Sequence, residues 1–399
     1  MAFAGKVLIL VENLSVPFDR RVWQESLALA RAGYQVSVIC PQMVDKKAFE
    51  IIDGVFIYRY PMPYTANRAI GYLWEYSWAM LWTFVYSCYV YFRRGFEIIH
   101  ACNPPDLFFI VSLPFKIFGV KFLFDQHDLS PETFESKFPA RGGILLKILR
   151  KLEFWTYKTA NVVLSTNESY RKIALERGKL SDNQVFVVRS SPDLKKFAPL
   201  PANPAYRRSR SYLAAYLGTM GAQDGLDYLL RSIHIITQKW KRTDIHFLLM
   251  GGGENLQVLK DLALSLGITD FVEFAGRVSN ETVREVLSSA DVCVAPDPIN
   301  PLNTHCTMNK ILEYMAMGKP IVSFRLTESE FSARQAAVYA IDNDEEDFAR
   351  KIVDLLDNPV MRKEMGEFGS RRLKEDLSWE KSTTQLLRAY EFALGCKKR

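Results

Sequence analysis

The stretch KVLILVENLSVPFDRRVWQESLALARAGYQVSVIC, residues 6–40, holds one complete strand–helix–strand unit. Residues 6–11 are a short apolar run that breaks into a loop, the pattern of a parallel strand buried on both faces. Residues 21–32 carry apolar side chains at helical spacing and stop at Gly33, a C-terminal cap signal. Residues 35–40 return as a second strand, and units of this kind build open parallel sheets. Outward from there, strand-like runs recur at 97–101, 121–125, 161–165 and 184–188, with helical stretches between. The pattern then breaks over 190–204, where Pro192, Pro199, Pro201 and Pro204 give a linker composition. A second series follows at 212–217, 244–250, 272–274, 292–295 and 320–324. The expected fold class is α/β: two Rossmann-like domains, residues 1–190 and 206–378, joined by a linker at 191–205 and facing a central cleft. In such sheets ligands sit beyond the carboxyl ends of the strands. A last helical stretch within 379–399 is expected to cross back onto the first domain.

A chain of 399 residues has room for two domains of this size. Hydrophobic residues at 48% and charged residues at 24% exclude a mostly disordered chain and a polytopic membrane protein. The excess of 51 Lys+Arg over 45 Asp+Glu favours an anionic surface or a phosphorylated substrate, and it is too small to indicate a nucleic-acid partner. Cys40, Cys88, Cys102, Cys293, Cys306 and Cys396 are scattered, without the spacing of a zinc knuckle or a redox pair, which points to a reduced, cytosolic compartment. The N-terminal apolar run ends at Glu12, too soon for the core of a signal peptide.

The window TMNKILEYMAMGKPIV, residues 307–322, is a helix stopped at Gly318 and followed by a proline and a strand. The start of the helix, at Thr307, Met308 and Asn309, presents free backbone N–H groups and a partial positive charge, suited to a diphosphate. Glu313 is an acid in an otherwise apolar helix, and its carboxylate can accept hydrogen bonds from a ribose. From spacing alone, a solvated helix residue is the simpler reading of it.

At this window the chain resembles the retaining glycosyltransferases of family 4, which have the GT-B fold. The C-terminal half carries the resemblance in YLGTMGAQDGLDYLL (216–230), LLMGGGEN (248–255), FVEFAGRV (271–278), DVCVAP (291–296) and NKILEYMAMGKPIV (309–322). The N-terminal half carries it in VENLSVPFDRRVWQE (11–25), IIHACNPPD (98–106) and FDQHDLSPE (124–132). The resemblance implies that Glu313 is the second glutamate of the family's Glu-x7-Glu motif and holds the ribose of a nucleotide sugar. The first glutamate falls on His305, which either donates a hydrogen bond near the donor sugar or is an ordinary loop histidine. The family's diphosphate-binding Arg and Lys fall on Thr219 and Asp224, between Gly218 and Gly225. An aspartate repels a diphosphate, so Asp224 is expected to do something else. Replacement cations are then sought in Lys310, Arg277, Arg20 and Arg21, because a departing nucleoside diphosphate needs its charge stabilised. The preferred reading has both Arg20 and Arg21 facing the donor phosphates; the alternative pairs them with Asp19 and Glu25.

Gly251 and Gly252, after a strand end, allow close backbone approach to a ligand, with Glu254 at the edge of that loop. As a dinucleotide fingerprint the run is incomplete, since Leu256 stands where the third glycine belongs. His127 follows a strand and sits between Asp125 and Asp128. The resemblance puts this histidine near the donor sugar and the acceptor hydroxyl, so His127, Asp128, Arg20 and Lys310 are the candidate catalytic residues. No metal and no cofactor beyond the donor substrate is expected. Asp342-Asn343-Asp344 mimics a metal motif but reads as the cap of a late helix.

Residues 76–92 are uncharged and aromatic, approaching the length of a membrane span but bounded by Glu75 and lying between strands. Residues 143–158 form a basic amphipathic helix with Leu145, Leu149, Leu152 and Trp155 on one face; it suits anionic lipid or, equally, a solvated domain surface. The expected activity is retaining, metal-independent transfer from a nucleotide sugar, with uridine the expected base, to a lipid-linked or glycan acceptor in bacterial polysaccharide biosynthesis. The expected place is the cytoplasm, peripheral on the inner membrane. The alternatives are a nucleotide-sugar epimerase of the same fold and a catalytically impaired partner subunit.

Overall fold

A computed structural model describes residues 4–43, 47–62, 69–138 and 143–395; Cys396 lies outside them. The chain forms two compact units, residues 1–190 with 380–399, and residues 191–379.

The first unit is built on eight strands, β1 (Gly5–Leu10), β2 (Tyr34–Gln42), β3 (Phe49–Ile52), β4 (Val55–Pro61), β5 (Ile98–Cys102), β6 (Lys121–Gln126), β7 (Val162–Ser165) and β8 (Val185–Val187). They are ordered β3-β4-β2-β1-β5-β6-β7-β8, and only β3 runs antiparallel to its neighbour. β1 is flanked by β2 and β5, with Val7 beside both Val36 and Ile98. The sheet's connections therefore reverse direction at β1, the point where open α/β sheets leave a crevice at their carboxyl edge. The helices are α1 (Arg20–Arg31), α2 (Ala69–Arg94), α3 (Phe108–Lys116), α4 (Ser130–Lys137), α5 (Gly143–Thr159) and α6 (Glu168–Gly178). The Asp19 side chain caps α1 by accepting from Val22 N–H at 3.0 Å, so this acid serves the helix start.

The second unit has six strands, β9 (Tyr212–Leu217), β10 (Ile245–Met250), β11 (Val272–Gly276), β12 (Val292–Ala295), β13 (Ile321–Phe324) and β14 (Ala337–Ala340), all parallel and ordered β11-β10-β9-β12-β13-β14. Here the reversal falls between β9 and β12. The helices are α7 (Leu226–His234), α8 (Leu256–Ser265), α9 (Asn280–Ser289), α10 (Asn309–Ala316), α11 (Thr327–Ala333), α12 (Glu345–Leu356) and α13 (Pro359–Glu375). One apolar cluster, with Leu230, Phe247 and Phe348, covers one sheet face; a second, with Leu248, Ile311 and Tyr314, covers the other. Asp344 caps α12, accepting from Glu346 and Asp347 N–H, as its sequence context predicts.

The proline-rich segment is not a free tether. Leu200 N–H and Asn203 N–H donate to the Ser288 and Ser289 hydroxyls at 2.8 Å each, which lays it along α9 as part of the second unit. Among the described residues the last helix is α14 (Trp379–Leu394), which belongs to the first unit from Glu380 onward.

Candidate active site

In the second unit the loops after β9, β10 and β11 are knitted together by their backbones. Gly218 N–H donates to Met250 C=O, Met220 N–H to Gly252 C=O, and Gly251 N–H to Gly276 C=O, all within 2.8–3.1 Å. Gly251 has φ +133°, and a Cβ there would lie 1.7 Å from the Gly218 carbonyl oxygen. That glycine is therefore required by loop-on-loop packing, whatever a ligand asks of it. Gly252 is under no such constraint; a Cβ there would meet nothing closer than the Arg277 side chain, at 3.6 Å. Arg277 itself is exposed at the end of β11, and Glu254 is exposed one loop residue beyond the glycines. Asp224, buried, accepts from the Thr219 hydroxyl and from Gly221 N–H at 2.9 Å each. This is the other task expected of it: Asp224 braces the loop that Gly218 and Thr219 open.

α10 starts beside this loop. Its Tyr314 hydroxyl accepts from Leu217 N–H at 2.8 Å and donates to the Val294 carbonyl at 3.1 Å, bolting the helix to the ends of β9 and β12. No side chain caps its first turn, where Met308 is the N-cap residue, and that turn carries no acid. The start of α10 therefore keeps the partial positive charge of an uncapped helix end. Thr307, Met308, His305 and Glu313 are all half-buried around this turn. Asn303, which nothing in the sequence singled out, ties the His305 turn to the loop by donating to the Gln223 and Pro298 carbonyls at 2.9 Å each.

The expectation for Lys310 is corrected. Its ammonium is buried, 2.7 Å from Asp297 Oδ1 and 3.3 Å from the Tyr216 hydroxyl. Burial opposes its charge, but Asp297, Tyr216 and Asp224 outweigh that and hold it protonated above the usual lysine range. Lys310 is thus paired with Asp297 inside the unit, its side chain 8% exposed.

In the first unit β6 delivers Asp125 and then His127. Asn103, after β5, grips this turn: its Oδ1 accepts from His127 N–H at 2.7 Å and Asp128 N–H at 3.2 Å, and its Nδ2 donates to Asp106 Oδ1 at 2.9 Å and the Asp128 carbonyl at 2.8 Å. Asp125 is fully buried. Arg21 engages it as a fork, Nη2 to Oδ1 at 2.7 Å and Nε to Oδ2 at 3.1 Å, and also donates to the Val188 carbonyl at 2.7 Å. The picture of two guanidinium groups facing phosphates is therefore corrected: Arg20 is exposed on the first turn of α1, whereas Arg21 is turned inward. It does meet Glu25, at 3.1 Å, but in the core and not on the helix surface.

The charges in this core follow from burial. Burial would raise Asp125, yet Arg21 and then His127 pull it well below the usual carboxylate range. Burial pushes Glu25 well above its usual range, so it stays protonated beside the Arg21–Asp125 pair. Burial lowers His100, whose Nδ1 lies 2.7 Å from the Tyr390 hydroxyl of α14. One cation and one anion remain, which is how a buried ion pair is tolerated. Two side-chain sets here, His100/Cys102/Asp125 and Glu25/Asp125/His127, have the spacing of metal ligands. Both depend on Asp125, and the guanidinium already occupies its two oxygens.

The family model described as Glycosyltransferase Family 4 matches residues 19–195, and the one described as Glycosyl transferases group 1 matches residues 212–358. The chain belongs to these glycosyltransferases. Over 371 residues, 90% of each chain, the glycosyltransferase is 21% identical to an uncharacterized glycosyltransferase of Methanocaldococcus jannaschii. Its fold is GT-B. Sucrose-phosphate synthase from Thermosynechococcus elongatus superposes with a TM-score of 0.80 at 18% identity, covering 98% of this chain and 100% of that one. The Anabaena protein HepE in complex with UDP superposes at 0.69 with 12% identity, covering 97% and 99%.

A second surface of the glycosyltransferase lies on the helices of its first unit. α3 packs between α2 and α5: the Tyr91 and Phe115 rings are 5.3 Å apart, and the Thr156 hydroxyl donates to the Asp106 carbonyl. Their outer faces leave Phe92, Ile117, Phe118 and Ile144 between 69% and 87% exposed, far from the burial such residues usually reach. α5 buries Glu153, Thr156 and Tyr157, and turns Leu145, Ile148 and Trp155 outward among the exposed Lys147, Arg150, Lys151 and Lys158. Among the described residues, no helix is long and apolar enough to cross a membrane.

Proposed function

We propose that this glycosyltransferase moves a sugar from a UDP-sugar, with retention of configuration and without a metal, to a lipid-linked acceptor at a membrane surface. The observation that carries the reading is the uncapped, acid-free start of α10 at the carboxyl edge of β9 and β12, with Glu313 in its second turn. A helix start of this kind stabilises a diphosphate as negative charge grows on it, and Arg277 is an exposed cation beside the glycine loop. Glu313 holds the ribose. In the first unit, His127 is the imidazole suited to meet a hydroxyl. In a retaining transfer the acceptor hydroxyl attacks on the face that the diphosphate leaves, and a phosphate oxygen takes its proton. Positioning and charge stabilisation then do most of the work. HepE, crystallised with UDP, supports the choice of base. The apolar and basic face of α2, α3 and α5 supports a lipid-bound acceptor, because such a face lies in an anionic lipid interface.

Thermal unfolding with added UDP tests the donor half. UDP at a hundredfold excess over its Kd stabilises the unit that binds it by about 2.7 kcal/mol, and Glu313→Ala is expected to abolish the shift. Absence of a shift with UDP, GDP and ADP alike would favour the partner-subunit reading, to which the sequestered Lys310 and the loop-bracing Asp224 lend weight.

A further inference from the structure

We infer that Asp125 is a positioning residue that fixes His127 as one tautomer, with the proton on Nε2, and so presents Nδ1 as a hydrogen-bond acceptor for a sugar hydroxyl. The inference rests on His127 meeting a hydroxyl, as proposed above, but its test does not. His127 Nε2 lies 2.5 Å from Asp125 Oδ2. At that separation two lone pairs repel, so one proton stands between the atoms. Arg21 holds both oxygens of Asp125, which leaves the carboxylate the poorer place for that proton and puts it on the imidazole. Arg21 Nε is also 3.0 Å from His127 Nε2. The Arg21 Nε–H reaches both acceptors in the structure; with the proton on Nε2, it gives its bond to Asp125 Oδ2 alone.

The rest of the surroundings hold the arrangement. Asn103 clamps the His127 backbone, and His100 Nε2 stands 3.4 Å from the same Asp125 oxygen. Glu25, uncharged, completes the shell. The imidazole keeps 12% of its surface exposed, and among the described residues nothing bonds to Nδ1. In a neutral imidazole the nitrogen without the proton is the acceptor, and which nitrogen that is follows from the bond made by the other. An acceptor selects a hydroxyl over a phosphate oxygen. His127 is thereby assigned to the sugar or acceptor hydroxyls and excluded from the diphosphate.

The test is a long-range nitrogen–proton correlation spectrum of the histidine rings of the full chain at neutral pH, with His127 assigned by the signals lost in His127→Gln. The expected pattern is that of a single tautomer protonated at Nε2. Asp125→Asn replaces the acceptor with a side chain that can donate, so His127 is expected to lose that pattern. Where UDP-sugar turnover is measured, kcat is expected to fall about 100-fold or more with the donor KM unchanged. A wild-type spectrum showing the Nδ1-protonated tautomer, a ring protonated on both nitrogens, or the two tautomers in fast exchange overturns the inference while leaving nucleotide binding untouched. The wild-type spectrum decides even if Asp125→Asn fails to fold. Failure of UDP to bind would sink the donor reading and leave the tautomer result standing.

Discussion

Glu12 follows β1 with its carboxyl buried, and burial, reinforced by Glu75, pushes it up to about 8. The folded state therefore keeps a proton that the unfolded chain releases near 4.5, its ordinary value. Stability must fall as pH rises from about 4.5 towards 8 and level off above, by about 1.4 kcal/mol for each pH step of one across that window. Asp106, pushed up to about 6, and Glu153, up to about 7, add slopes of the same sign, so only a comparison of variants isolates Glu12. Glu12→Gln is expected to lose less stability than the wild type between pH 5 and pH 8 in denaturant unfolding; parallel pH curves would mean that Glu12 is ionised in the folded protein. Residues of this kind explain what the sequence hides. Glu12 and Asp297 are acids in short segments, and nothing local distinguishes a buried carboxyl from a solvated one. Asp125 was more legible, because it lies near the end of β6, two residues before His127. Arg21 was the harder case. Its partner lies 104 residues away, and a helix residue beside Glu25 looks from sequence like half of an ordinary surface pair.

Among the elements, the parallel strands announce themselves as apolar runs, and β1, β2, β5, β6, β9 and β10 fall where those runs fall. The β3–β4 hairpin does not read that way, because β3 is an edge strand whose side chains alternate between exposed and half-buried. Its signal is the turn, Asp53-Gly54, with both φ angles positive at 50° and 82°. β14 is equally short, four residues at the edge of the other sheet. For α5, periodicity identified the amphipathic helix but not which side faces in. Small and polar Glu153 and Thr156, with Tyr157, are buried because Glu153 pairs with Arg177 and Thr156 reaches the Asp106 carbonyl. That inversion leaves α3 and α5 with no exposed carboxylate beside their lysines and arginine. Anionic lipid attracts such a face by about 1 kcal/mol per basic residue. Reversing Lys147, Arg150 and Lys151 to Glu together is expected to lower co-sedimentation with phosphatidylserine-containing vesicles at low salt by ~100-fold, with UDP stabilisation intact. Equal binding by the variant would leave the apolar face without a membrane role.

At the scale of the whole molecule, the first unit is completed by residues that arrive last in the chain. Leu386, Ala389, Tyr390 and Ala393 of α14 are buried, Tyr390 meets the Tyr34 ring edge-on at 5.4 Å, and its hydroxyl is the partner of His100 Nδ1. His100 in turn stands against Asp125, so the C-terminal helix supports the wall behind His127. Tyr390→Phe removes one hydroxyl and strands a buried imidazole nitrogen, a loss of about 1–3 kcal/mol. A chain ending at Trp379 loses that bond and the apolar burial together, at roughly 1.5–3 kcal/mol for each large side chain withdrawn from water. The second unit, residues 191–379, has both of its apolar clusters within itself. Calorimetry of the truncated chain is therefore expected to show one transition moved to lower temperature and a second unmoved, with UDP still raising the second. Limited proteolysis should leave a resistant fragment spanning that unit. If instead the two transitions shift together, or neither does, α14 is not what holds the first unit closed, and the support it lends to His100 and Asp125 must come from the sheet alone.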